Sequence, residues 1–140
     1  MTIQVLDRSS AGQFVTPATH DKMLKDINSN FAELLASSGP FVLVTETTTA
    51  RTLSLTDARK YIRCTNASSV TVTVPPQSSV VWDADTEILV ERAGAGSLTI
   101  AAGSGVTLRA PRTLVADVQY SVVTLKRVAS DEWVVAGGTV

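Results

Sequence analysis

The spacing of apolar residues changes near residue 38 of the chain. Over residues 16–38 apolar side chains recur every three or four positions, which is the period of an amphipathic helix. From Phe41 onward, apolar residues alternate with Thr and Ser, as in half-buried strands, and Gly or Pro interrupts the runs. Gly39 and Pro40 stand between the two patterns and end the helix. The pattern therefore predicts one helix followed by a strand-rich domain.

The predicted helix has Thr16 as its N-cap and Pro17 at its first helical position, and it occupies residues 16–38. Its apolar stripe has a/d spacing over about two heptads. The predicted oligomerisation contacts on this stripe are His20, Leu24, Ile27, Phe31 and Leu34. Because an isolated helix of this length is marginal in water, the stripe has to be buried. We expect a coiled-coil homotrimer, although the heptads do not separate a dimer from a trimer. Packing of the helix on the strand domain is the alternative.

Nine segments after Pro40 have the composition and alternation of strands. They are Phe41–Glu46, Arg51–Leu55, Lys60–Thr65, Ser69–Val74, Glu87–Arg92, Ser97–Ala101, Val106–Arg109, Gln119–Val128 and Glu132–Ala136. In the clearest of them, Val70, Val72 and Val74 share the face expected to point into the core. Short strands separated by turn residues predict a mainly β domain over residues 39–140. We expect a small antiparallel β-sandwich or barrel of the jelly-roll type.

The N-terminal segment, residues 1–15, has no clear period and indicates an extended arm. Its apolar residues are Ile3, Val5, Leu6 and Phe14. Terminal arms of this kind are often ordered only against a partner, so an attachment role is expected for this segment.

Composition and charge exclude several classes of protein. The 12 basic and 13 acidic residues give a net charge of −1 and form no basic block, so we expect no nucleic-acid partner. No apolar run approaches about 18 residues, and the N-terminus lacks the pattern of a signal peptide, so no membrane partner is expected. A single Cys64 and a single His20 cannot supply a cysteine-rich zinc site or an evident nucleophile–base pair. We therefore expect no enzyme activity, no metal and no cofactor.

Two stretches of the chain resemble a known family. Residues 26–34 read DINSNFAEL and resemble the IN-x-NF-A-EL segment that recurs in tailed-bacteriophage virion proteins. Residues 52–66 read TLSLTDARKYIRCTN, and Val70–Pro75, Gly103–Val106 and Asp131–Trp133 follow them in order. This order is similar to a small all-β module of phage head fibres, tail fibres and related appendages.

The resemblance implies a virion structural protein, either a trimeric capsid decoration protein or a short head fibre. The arm, with Ile3, Val5, Leu6 and Phe14, would then dock on the major capsid protein or another virion protein. The alternative is a tail-fibre or tail-appendage module that binds a receptor or a host-surface glycan. Receptor or glycan binding requires an exposed groove, for which Trp82 and Tyr120 are the candidate aromatic residues. Whether the protein sits on the head or on the tail stays open.

Overall fold

The computed structural model describes residues 20–28 and 40–140. The chain divides into two compact units, Met1–Gly39 and Pro40–Val140. In the first unit, residues 20–28 form a helix, α1, and every residue of α1 is exposed. The rest of the predicted helix and the arm, residues 1–15, lie outside the described residues. The predicted extent of 16–38 for the helix therefore stays a prediction.

The second unit is mainly β, as the alternation predicts. Its strands are β1 (Val42–Glu46), β2 (Ala50–Thr52), β3 (Lys60–Cys64), β4 (Val70–Val74), β5 (Glu87–Arg92), β6 (Leu98–Ala102), β7 (Thr107–Arg109), β8 (Val122–Ala129) and β9 (Glu132–Gly137). A short 3-10 helix, Leu55–Asp57, follows β2. Each of the nine predicted strand segments has a counterpart, with ends that differ by a few residues. The largest difference in kind is in the second segment, where Leu55 belongs to the 3-10 helix.

The first six strands alternate between two sheets, so that the chain winds in coils. β1, β3 and β5 pair in parallel in one sheet, and β2, β4 and β6 pair in parallel in the other. Tyr61 pairs with Leu89 in the first sheet and Val70 pairs with Leu98 in the second. The two pairs have the same separation along the chain, so the second and third coils are stacked in one common register.

The core lies between these two sheets. Val70, Val72 and Val74 are buried, and this confirms the face predicted for β4. Their large buried neighbours are Leu53, Ile62, Ile88, Leu98, Ile100, Leu125 and Trp133. In a parallel sheet, residues that pair in register project to the same side, so each coil adds one apolar layer to the layer before it.

The predicted antiparallel sandwich of the jelly-roll type is wrong for the first six strands, which form parallel, solenoid-like coils. Alternation indicates which side of a strand is buried, but it does not indicate which strand is its partner. The glycine-containing segment between β5 and β6 is not a hairpin turn, because it passes the chain from the first sheet to the second. The Gly94 N–H donates to the Cys64 carbonyl at 2.8 Å, and a Cβ on Gly94 would lie 2.0 Å from the Asn66 carbonyl oxygen. The turns of successive coils therefore stack directly on one another.

Among the described strands, antiparallel pairing is found only at the end of the coiled part of the chain. β8 pairs antiparallel with β5 and with β9, and β7 pairs in parallel with β9. The first sheet therefore has the order β1-β3-β5-β8-β9-β7, and the second has the order β2-β4-β6.

Candidate interaction surfaces

The described helix presents the first half of the predicted oligomerisation stripe. His20, Leu24 and Ile27 follow at intervals of four and three residues and so lie on one side of α1. Leu24 is 46% exposed and Ile27 is 55% exposed, and Met23 extends the apolar surface at 50%. Lys22 and Asp26 form an ion pair of 3.2 Å one turn apart. The helix is therefore amphipathic, and its apolar side is open to solvent in the single chain.

The other predicted contacts cannot be placed. Phe31 and Leu34 of the stripe, and Ile3, Val5, Leu6 and Phe14 of the arm, lie outside the described residues.

A buried ion-pair network stands at the first coil of the second unit. Glu46 pairs in register with Cys64, and Arg51 pairs in register with Val72, so both charged residues occupy inward positions. Arg51 Nη1 lies 2.7 Å from Glu46 Oε2, and Arg51 Nη2 lies 2.5 Å from Asp57 Oδ1. Where the second coil has Cys64 and Val72, the first coil therefore closes the core with a carboxylate–guanidinium–carboxylate group.

Hydrogen bonds hold the Glu46 carboxylate in its charged form. Burial by itself would raise the pKa of Glu46. The backbone N–H and the hydroxyl of Thr48 donate to Oε1 at 2.8 and 2.7 Å, and Arg51 donates to Oε2. These bonds outweigh burial and lower the pKa from 4.5 to about 2. The Glu46 carboxylate is therefore charged over the whole physiological pH range.

Sequence analysis missed this network, because it gave no role to Glu46, Arg51 or Asp57. The alternation of the first strand contains the signal that was overlooked. Val42, Val44 and Glu46 are two residues apart and share one side of β1, so the side that holds the valines also holds the carboxylate.

The open edge of β1 is a second apolar surface. Val42 is 54% exposed and Leu43 is 58% exposed, and they project to opposite sides of the sheet. Within the described residues, β1 pairs only with β3, and no described strand pairs with its other edge.

The loop before β8 presents a third apolar surface on a well-held backbone. The Tyr120 N–H donates to the Arg92 carbonyl at 2.5 Å, and Arg92 Nη1 donates to the Asp117 carbonyl at 2.9 Å. The Ser121 hydroxyl donates to the Val118 carbonyl across the loop. The side chain of Tyr120 nevertheless is 62% exposed, and Val118 is exposed beside it.

Tyr120 also has a left-handed backbone, with φ of 72°. Among the described residues, three others that are not glycine share this region. Asp85 and Asp131 have short polar side chains that tolerate this conformation. The third is Arg59, whose guanidinium lies 5.4 Å from the centre of the Phe41 ring. Burial does not explain the conformation of Tyr120, because its ring is exposed.

The predicted groove around Trp82 is wrong. Trp82 is 3% exposed and packs edge to face on Trp133, with ring centres 5.3 Å apart. Its Nε1 donates to the Pro75 carbonyl at 3.4 Å. Both indole rings belong to the core, so Tyr120 is the candidate aromatic residue that remains accessible.

Cys64 has the surroundings of a structural residue. It is buried in β3, and burial, together with the Glu46 carboxylate, raises the pKa of its thiol to about 11. A nucleophilic cysteine needs the opposite shift. Among the described residues, no group of three or more His, Cys, Asp or Glu side chains is placed to hold a metal ion. No described helix has the length and apolar content needed to span a membrane.

Comparison with known proteins finds no matching family, curated protein or solved structure.

Proposed function

We propose that the protein is a self-associating structural protein of a tailed-bacteriophage virion, namely a trimeric capsid decoration protein or short head fibre. The observation that carries the proposal is the open apolar side of α1, where Leu24 and Ile27 are about half exposed. A short helix gains little stability by itself and needs a partner for its apolar side. The resemblance of residues 26–34 and 52–66 to phage virion proteins supports the same role.

In this proposal each part of the chain has a separate task. The helix joins the copies through His20, Leu24, Ile27, Phe31 and Leu34. Residues 1–15 attach the assembly to the major capsid protein or another virion protein. The β unit forms the outward part, and its closely stacked coils suit a rigid surface module.

The test is the mass of the full chain in solution by light scattering. A trimer has three times the chain mass of 14.8 kDa. Leu24→Asp combined with Ile27→Asp should give a monomer, because burial of a Leu or Ile side chain contributes about 2 kcal/mol. Two such losses amount to about 4 kcal/mol per chain, or about a thousandfold in affinity for each chain that joins the assembly.

The matched control is Lys25→Asp, which changes the charge of another exposed residue of α1. It should leave the mass unchanged. Tryptophan fluorescence should be the same in all variants, because both tryptophans lie in the core of the β unit. A full chain that is monomeric at micromolar concentration would refute the proposed self-association.

Tyr120 favours a second candidate function, a tail-appendage module that binds a host-surface glycan or receptor. An exposed aromatic ring on a firmly held loop is a surface on which a sugar ring or a partner side chain stacks. The left-handed φ of 72° costs about 1–2 kcal/mol for a residue with a Cβ, and Asn tolerates it better. The Tyr120 ring is therefore retained although the backbone conformation of this residue lowers the stability of the fold.

Binding to a glycan array separates this function from the first. We expect Tyr120→Asn to abolish glycan binding without lowering the unfolding midpoint of the β unit. Val81→Asn is the control, since Val81 is exposed elsewhere on the same unit. If the unmodified chain binds no glycan on the array, glycan recognition by this loop is wrong.

A further inference from the structure

We infer that the open edge of β1 is a contact between copies of this chain. The inference rests on the proposed self-association and adds a second interface to it, within the β unit. It follows from a comparison of the four edges of the two sheets, of which three are protected and one is not.

The second sheet is protected at both ends. The edge of β6 is covered, because the Ile100 N–H donates to the Leu114 carbonyl at 2.8 Å and the Ala116 N–H donates to the Leu98 carbonyl at 2.9 Å. At the other end, β2 is only three residues long. A strand this short offers little backbone for edge-to-edge pairing.

The far edge of the first sheet is protected as well. β7 is three residues long, and its Arg109 Nε lies 2.8 Å from Glu132 Oε1 on β9. A short edge strand with an exposed ion pair is a poor template for another strand.

Among the described residues, nothing gives the edge of β1 any of these protections. The strand is five residues long, and the segment Phe41–Val44 contains four apolar residues in succession. Val42 and Leu43 are both more than half exposed, on opposite sides of the sheet. The charge of Glu46 does not guard the edge, because hydrogen bonds hold its carboxylate against Thr48 and Arg51. Exposed apolar edges of this kind pair with another strand.

A further coil upstream of β1, at the separation along the chain that relates β1 to β3, does not supply that strand. Val42 pairs with Lys60 and Glu46 with Cys64. The same separation along the chain, counted back from β1, reaches residues 24–28, and these belong to α1. The solenoid therefore does not continue into residues 24–28 at this spacing, which leaves the edge of β1 open to a strand from another molecule.

Self-association through α1 would place that other molecule within reach. Residues 28 and 42 are joined by chain that spans at most about 50 Å when fully extended. One strand confined within about 50 Å of a common helix bundle has an effective concentration of about 3 mM. A contact too weak to form between free molecules is occupied at this concentration. This is why the second copy is the occupant that the structure favours.

Cross-linking of the full chain tests the inference. The native Cys64 is buried and its thiol has a raised pKa, so it contributes little background. Leu43→Cys places a reactive thiol beside the open edge, and Val81→Cys places one at a residue that is 71% exposed but away from it. With a short bis-maleimide, we expect at least ten times more covalent dimer from Leu43→Cys than from Val81→Cys.

A second pair of variants tests the edge without a cysteine. Thr45→Lys adds a charge to the exposed edge, and Thr107→Lys adds the same charge to β7. We expect Thr45→Lys to raise the concentration at which the assembly dissociates about tenfold, and Thr107→Lys to leave it unchanged. Tryptophan fluorescence checks that both variants fold.

The outcomes separate the two interfaces. Light scattering reports on the helix, and the cross-link reports on β1. An oligomer in which Leu43→Cys and Val81→Cys cross-link equally would show that something other than a second copy covers β1, and assembly by the helix would stand. A monomeric chain would overturn the assembly and this inference together.

Discussion

The ion-pair network of the first coil makes the stability of the β unit depend on pH in a way that a single substitution can isolate. The perturbation is Glu46→Gln, which removes the carboxylate charge and keeps the shape of the side chain. The pKa of Glu46 is lowered in the folded protein, so the carboxylate stabilises the fold at pH values above its ordinary pKa of 4.5. This stabilisation is lost as the pH falls from about 4.5 to about 2.

The magnitude follows from the size of the shift. A change from 4.5 to about 2, at about 1.36 kcal/mol per pKa unit, corresponds to about 3 kcal/mol. Above a pH of about 5.5 we therefore expect Glu46→Gln to unfold with a free energy about 3 kcal/mol lower than that of the unmodified chain. Near pH 2 the difference should have largely disappeared, because the native side chain is then becoming protonated.

Urea unfolding followed by tryptophan fluorescence measures this difference. Both tryptophans are buried in the β unit, and urea does not screen charges as a salt denaturant does. Glu132→Gln is the matched control, because the Arg109–Glu132 pair is exposed and contributes less than about 1 kcal/mol. A difference between the native chain and Glu46→Gln that stays constant from pH 7 to pH 2 would refute the reasoning.

Two further predictions concern the core and its turns. Gly94→Ala should destabilise the β unit by about 1–3 kcal/mol or more, because its Cβ would lie 2.0 Å from the Asn66 carbonyl oxygen. A lower melting temperature is the measure. Gly105→Ala is the contrasting variant, since a Cβ there meets no neighbour and only the left-handed φ of 84° opposes it. Cys64 should not react with a thiol reagent at pH 8 until urea unfolds the chain, because its thiol is buried and its pKa is raised to about 11. Rapid reaction in the native state would contradict its placement.

The sequence was sufficient to predict the strands and, for the clearest of them, the face that the strand buries. Val70, Val72 and Val74 illustrate why, because the period of two that places them on one side is a local property of the chain. It was not sufficient to predict which strands pair. The pairing of Val70 with Leu98 depends on the turn around Gly94 lying against Asn66, and that contact joins segments of two different coils.

The candidate surfaces were predictable in unequal measure. The stripe that includes Leu24 and Ile27 follows from helical spacing alone, since no other element is needed to define it. The open edge of β1 does not follow from spacing, because an edge exists only once the order of the strands is known. The same is true of Glu46 and Arg51, whose inward positions depend on their register with the next coil.

The common register of the second and third coils has a consequence for how such a domain changes in length. Because both sheets repeat at the same separation along the chain, a duplication of residues 61–88 would preserve every pairing between neighbouring coils and every inward side chain. Each added coil would lengthen the domain by about 4.8 Å, the spacing between adjacent strands. Insertions of other sizes would have to be absorbed in the turns. At one end β8 reverses direction and stops this growth, so the domain can be extended between its existing coils but not beyond that strand.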